Sequence, residues 1–136
     1  MYLLDTNVVA ELRRPKPHGA VLAWLAGIRD AELRLSALTI GEIQAGIEIT
    51  RTADARKAAE IEFWLEQIAG AYNVLAMDAH AFRCWAKLMH GRPGHLMEDA
   101  MIAATAVVHG LTVVTRNVRD FKQFDVRTFN PFIAVK

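Results

Sequence analysis

Met1-Tyr2-Leu3-Leu4-Asp5-Thr6-Asn7 opens the chain. Tyr2, Leu3 and Leu4 form an apolar run without polar alternation, the pattern of a strand buried on both faces. The run stops at Asp5-Thr6-Asn7, and Val8-Val9-Ala10-Glu11-Leu12 then reads as a helix. A carboxylate directly after a buried strand sits where open α/β sheets keep their ligand crevice. Asp5 or Asn7 can equally cap the helix that follows. One residue does not separate the two readings, so the positions of the other acids matter.

Outward from this stretch, short apolar strands alternate with amphipathic helices. Val21, Leu22, Trp24, Leu25 and Ile28 recur at helical spacing. Leu33–Leu38 reads as a second strand, and Thr39-Ile40-Gly41-Glu42 opens a helix in which Thr39 and Glu42 match a capping box. Arg51-Thr52-Ala53-Asp54 separates that helix from a long one over Ala55–Ala69, with Gly70 after its last turn. Tyr72–Met77 predicts a third strand, and Asp78 an N-cap for a helix over Ala79–Met89. Ala100–Val108 is apolar on nearly all sides, which predicts a buried central helix ended by Gly110 in a left-handed cap. Leu111–Thr115 is the clearest strand, Arg116–Phe121 a polar turn, and Val126–Phe129 a last short strand. The alternation predicts one α/β domain over residues 1–136, a mostly parallel sheet with helices on both faces.

The composition narrows the class. With 136 residues, 53% apolar and 23% charged, the chain builds a proper core and is not disordered. No apolar run approaches the ~18 residues of a membrane helix. Cys84 is the only cysteine, which rules out an internal disulfide and disfavours a thiolate metal site. The N-terminus lacks the basic flank and long apolar stretch of a secretory signal, so the expected location is the cytoplasm. A net charge of +1 lets an acidic site coexist with a basic rim.

Four acids share one topological position. Asp5 follows the first strand, Glu42 lies in the first turn of the helix after the second, and Asp120 lies in the turn after the fourth. In a parallel sheet these strand ends meet at one edge. Asp99 joins them if the N-terminus of its buried helix faces that edge. Each has a structural alternative: a capping box for Glu42, a helix-dipole partner for Asp99, an Asx turn for Asp120. Together they repel one another unless a cation lies between them. All-oxygen ligation suits Mg²⁺ or Mn²⁺ better than Zn²⁺, and phosphodiester hydrolysis is the chemistry served, with two metals, if present, ~3.5–4 Å apart.

The sequence resembles PIN-domain ribonucleases, specifically the toxin subunits of VapBC-type, type II toxin–antitoxin pairs. The resemblance spans almost the whole chain and rests on Leu4-Asp5-Thr6-Asn7, Ser36-x-x-Thr39-x-Gly41-Glu42-x-x-x-Gly46, Asp99-x-x-Ile102-Ala103-Ala104-Thr105-Ala106 and Thr115-Arg116-Asn117-x-x-Asp120-Phe121 through to Asn130-Pro131. It implies a three-layer α/β/α fold with four or five strands, and a Mg²⁺- or Mn²⁺-dependent endoribonuclease site. By resemblance Asp5, Glu42 and Asp99 are the core metal ligands and catalytic acids, and Asp120 matches a fourth, more variable acidic position. Some relatives carry an acid where this chain has Asn117, which bears on a second metal. Thr6, Asn7, Thr115 and Asn117 are then polar support around the ligands. Glu98 is left outside the ligand set, because adjacent helical residues point in different directions.

For RNA contacts, Arg116 and Arg119 are the best candidates, since they bracket Asn117 beside Asp120. Arg13, Arg14, Lys16 and Arg51 are weaker ones. The resemblance also implies a homodimer and a small DNA-binding, VapB-like antitoxin; the apolar stripes of Val21–Ile28 and Ala55–Ala69 exceed what one small sheet covers. Three rivals remain. A phosphatase-like hydrolase with a strand-end Asp nucleophile usually needs a second Asp where this chain has Asn7. A receiver-like domain needs an N-terminal acidic pair and a phosphoacceptor on a middle strand. The last is a catalytically inactive PIN fold that only binds.

Overall fold

Tyr2–Leu4 (β1) lies in the middle of a five-stranded sheet in the computed structural model, which describes residues 1–133. Residues 134–136 of the expected domain lie outside the described residues. The other strands are Leu33–Ser36 (β2), Asn73–Leu75 (β3), Thr112–Val114 (β4) and Thr128–Phe129 (β5), in the order β3-β2-β1-β4-β5. All four pairings are parallel, with Leu4 level with Leu35 on one side and Val114 on the other. Every strand therefore ends at the same edge, and the central strand delivers Asp5 to it.

Leu3 and Leu4 are fully buried and face opposite ways, which explains the unalternating run. Leu3 joins Val113, Phe121, Phe124 and the Ala100–Ala106 face of one helix, with Trp85 and Leu88 packed against them. Leu4 joins Val8, Val9, Val21, Leu35 and Val114, covered by Trp24, Ile40, Ile43 and Trp64. Each fully buried side chain of this kind contributes about 1.5–3 kcal/mol.

The helices are Thr6–Glu11 (α1), Gly19–Ala26 (α2), Ala37–Ala53 (α3), Ala55–Ala71 (α4), Ala79–Met89 (α5), Met97–His109 (α6) and Val118–Lys122 (α7). Several boundaries differ from the sequence expectation. Helix α1 begins at Thr6 because Asp5, not Asn7, accepts the Thr6 N–H and caps it. Helix α3 begins at Ala37, capped by Ser36 Oγ, so Thr39 is not a cap and the Thr39–Glu42 capping box does not form. Arg51-Thr52-Ala53 stays helical because Arg51 is held by Glu48 and Glu62 at 2.9 and 3.0 Å. Asp54 alone makes the break, in extended backbone, and its Oδ1 accepts the Lys57 N–H at 3.0 Å to start α4. Gly70 lies inside α4, and the polar Arg116–Phe121 turn contains the start of α7. Asp78 and Gly110 (φ 67°) cap α5 and α6 as expected.

Candidate active site

Helices α1 and α3 start directly after β1 and β2, at the edge where the parallel strands end, and α6 is buried against the same sheet. Their first two turns, with Asn117 after β4, enclose a cavity of about 200 Å³ lined by Asp5, Thr6, Asn7, Glu42, Glu98, Asp99, Ile102 and Asn117. The N-terminus of α6 thus faces the strand-end edge, the condition on which Asp99 joining Asp5 depended.

Asp5 is nearly inaccessible to solvent, and each of its oxygens is bonded. Oδ1 accepts from the Thr6 N–H at 2.8 Å; Oδ2 accepts from the Thr115 hydroxyl at 2.8 Å and the Asn7 amide at 3.2 Å. A carboxylate offers about four lone-pair positions, so one is left for the cavity. The Asn7 amide also donates to Thr115 Oγ1, its carbonyl oxygen accepts the Arg116 N–H, and Thr115 Oγ1 further accepts the Asn117 N–H. These bonds lock β1, α1 and the residues after β4 into one polar frame.

Glu42 is held differently. The Thr6 hydroxyl donates to Glu42 Oε1 at 2.9 Å. Its single proton is then used, so the 2.9 Å contact with Thr39 requires the buried Thr39 hydroxyl to donate to Thr6. The Glu42 carboxyl also meets that of Glu98. The resulting acidity is abnormal. Burial, then the Glu98 contact and the charges of Glu98 and Asp5, push Glu42 up to about 7 against the pull of Thr6. Burial and the charges of Asp5, Asp120 and Glu98 push Asp99 up to about 6, opposed by His95. Burial also raises Asp5, despite its bonds from Thr115 and Thr6. Clustered like charges in a half-dry cavity are what a cation relieves.

No group of three or more His, Cys, Asp or Glu among the described residues is arranged to hold a metal ion by itself. The donor set nonetheless fits a hard, hydrated cation. It is all oxygen and acidic, and Mg²⁺ usually keeps several waters while using one or two carboxylates instead of a protein cage. Neither His nor Cys lines the cavity, so it does not suit Zn²⁺.

Of the expected residues, Asp5, Glu42, Asp99, Thr6, Asn7 and Asn117 line the cavity, and the buried Thr115 supports it from behind. Asp120 is not in the lining; its charge reaches the site through Asp99. Arg116 lays its guanidinium 3.9 Å over the Phe132 ring, and neither it nor Arg119 lines the cavity. Arg14 is paired with Glu11, and Arg51 with Glu48 and Glu62. Sequence reasoning missed Glu98 and Thr39. Neighbours on a helix differ by about 100°, but a cavity at the helix end is broad enough to meet both Glu98 and Asp99. For Thr39 the available signal was its place in an otherwise apolar turn after a strand.

The PIN domain family model matches residues 2–127. The chain belongs to the PIN-domain family. Within it the chain is similar to VapC-type toxins. It is 36% identical to the protein named toxin FitB of Neisseria gonorrhoeae, over 97% of this chain and 99% of that one. It is also 36% identical to VapC ribonuclease Y4jK of Sinorhizobium fredii, over 97% and 98%. The crystal structure of FitAcB from Neisseria gonorrhoeae matches with a TM-score of 0.86 at 35% identity, over 97% of this chain and 99% of that chain. The five parallel strands with helices on both faces are this PIN fold, so the expected sheet is confirmed at its upper strand count.

Proposed function

We propose that this PIN-domain protein is a Mg²⁺- or Mn²⁺-dependent endoribonuclease acting as the toxin of a type II toxin–antitoxin module. The observation that carries the reading is the meeting of Asp5, Glu42 and Asp99, from three distant segments, in one cavity where their acidity is suppressed. Relatives bearing the names toxin and VapC ribonuclease support it. A divalent cation bound here would draw charge from a phosphoryl oxygen and activate a water as nucleophile. Asp5, Glu42 and Asp99 would hold the ion, and Asp120 would act on it from further out. Thr115 and Asn7 aim the Asp5 carboxylate, and Thr6 aims that of Glu42.

The phosphatase-like alternative is disfavoured, because Asn7 gives its amide to Asp5 and has no proton to hand to a leaving group. A binding module without catalysis is favoured by one observation, the lack of a preformed cage of three ligands. The partners of this reading are RNA, a second copy of the chain and a small antitoxin. Solved structures similar to this chain, including one of FitAB bound to a DNA fragment (TM-score 0.87, 33% identity, covering 100% of this chain and 99% of that chain), support the antitoxin. Leu22 on α2 and Phe63 on α4, 45% and 63% exposed, leave apolar surface for such contacts. Among the described residues no helix is long and apolar enough to cross a membrane, and the proposed location is the cytoplasm.

The test is RNA cleavage with Mg²⁺ or Mn²⁺ by Asp5→Asn, a change that keeps the helix cap because Asn caps as well as Asp. Cleavage should fall by about 10²-fold or more with an unchanged circular dichroism spectrum. Cleavage at the wild-type rate would remove Asp5 from the mechanism; no cleavage by the wild-type chain with either metal would favour the binding module.

A further inference from the structure

We propose that the cleft between α5 and α6 is a second RNA contact, taking phosphates of the strand away from the scissile bond. The proposal rests on the ribonuclease reading of the carboxylate cavity. The cleft measures about 340 Å³ and is lined by His80, Arg83, Cys84, Lys87, Val107 and Val108. Arg83 and Lys87 stand four residues apart on α5 and so share a face. Both are exposed, and none of the ion pairs among the described residues involves either. Val107, 46% exposed, and Val108 add an apolar side. Cations on the rim meet phosphates, and the valines suit the ribose or base face.

The surroundings favour an anion. Helix α5 carries Arg83 and Lys87 and no acid of its own, only the N-cap Asp78 before it, and between Asp78 and Asp120 the only acids are Glu98 and Asp99 in the wall of the carboxylate cavity. The near-neutral total of the chain conceals this one-sided region. Position favours a continuous strand. Helix α6 carries Asp99 at one end and Val107-Val108 at the other, about 12–14 Å apart at 1.5 Å per residue. An RNA leaving the carboxylate cavity along α6 reaches the cleft after a few nucleotides, whereas a dinucleotide, with its one phosphodiester at the cavity, does not fill both places.

Cys84, the chain's only cysteine, is half-buried in the cleft wall and serves as a reporter. The experiment uses the full chain carrying Asp5→Asn, in Mg²⁺, so that RNA binds without being cut. A labelled single-stranded RNA of about 20 nucleotides and a labelled dinucleotide are compared by fluorescence anisotropy across salt concentrations, alongside Cys84 alkylation rates. The long RNA should slow alkylation several-fold and the dinucleotide should not. Adding Arg83→Ala and Lys87→Ala should weaken long-RNA binding about 10-fold, make its log–log salt slope shallower by about 1.4 for two lost phosphate contacts, and leave dinucleotide binding unchanged. Equal long-RNA binding with Cys84 as reactive as before overturns the cleft assignment while sparing the ribonuclease reading. An acidic peptide that protects Cys84 where the long RNA does not also overturns it, in favour of a protein partner. If neither RNA binds the Asp5→Asn chain and the wild-type chain cuts none, the ribonuclease reading fails and the cleft proposal falls with it.

Discussion

Asp5 caps α1 through Oδ1 and accepts Thr115 and Asn7 at Oδ2, so capping and facing the cavity are two halves of one carboxylate's bonding. The cap sets the side chain's direction, and the bonds at Oδ2 fix its rotation. Thr115 is the most demanding of these partners, because it is fully buried, donates to Asp5 and accepts from both Asn7 and Asn117. Thr115→Val keeps the shape and removes all three bonds. It should cost about 1–3 kcal/mol of stability in chemical denaturation, since buried polar groups are left unpaired. It should also weaken Mg²⁺ or Mn²⁺ binding about 10- to 100-fold in titration calorimetry. Unchanged metal affinity would mean that Thr115 supports the fold alone.

Among the elements, the α3–α4 hairpin departs furthest from its sequence pattern. The stretch Arg51–Asp54 has a helix former, a β-branched residue and an acid, and reads as a linker. In the fold the first three residues remain in α3 because Arg51 reaches Glu48 one turn back and Glu62 across on α4. The turn is reduced to Asp54, which accepts the third free N–H of the next helix at Lys57, while its own N–H bonds the Thr50 carbonyl. Asp54→Ala should therefore destabilise the protein by about 0.5–2 kcal/mol in a urea titration, the usual cost of a lost N-cap. A change below a few tenths of a kcal/mol would show that the cross-helix ion pairs hold the hairpin without it. The converse case is α6, whose apolar middle and closing Gly110 were legible at once, because Ala100 and Ile102–Ala106 are so fully buried that the residue pattern alone carries them.

For the whole molecule, the carboxylate cavity opposes folding at neutral pH and makes stability depend on pH. Glu42 and Asp99 titrate near 7 and 6 in the folded protein, above the ordinary values of 4.5 and 3.8 they take when unfolded. Between those values the folded chain holds more protons than the unfolded one, so stability falls as pH rises. Without metal, Tm should therefore decline from about pH 5 to pH 7.5 and level off above it. Saturating Mg²⁺ should raise Tm most at the upper end, because the cation replaces the protons there. A metal-free Tm that climbs through this window, or a Mg²⁺ effect equal at both ends, would show that these acids are not coupled as the cavity geometry requires.

The sequence by itself determined the layered α/β class, the doubly buried strand that ends in Asp5, and the grouping of Asp5, Glu42 and Asp120 at strand ends, with Asp99 joining only on a condition. These rest on burial and on strand–helix alternation, which one-dimensional patterns record directly. Tertiary structure decided what depends on distance between remote segments. It put Thr39 under Thr6 where a helix cap was expected, brought Glu98 against Glu42, and set Asn117 in the cavity wall with Asp120 behind Asp99. It also gathered Arg83 and Lys87 into a cleft that no local pattern marks. Periodicity reports which face of a helix is buried, whereas the reach of a side chain across a cavity depends on the neighbouring helix's placement, which only the packed sheet supplies.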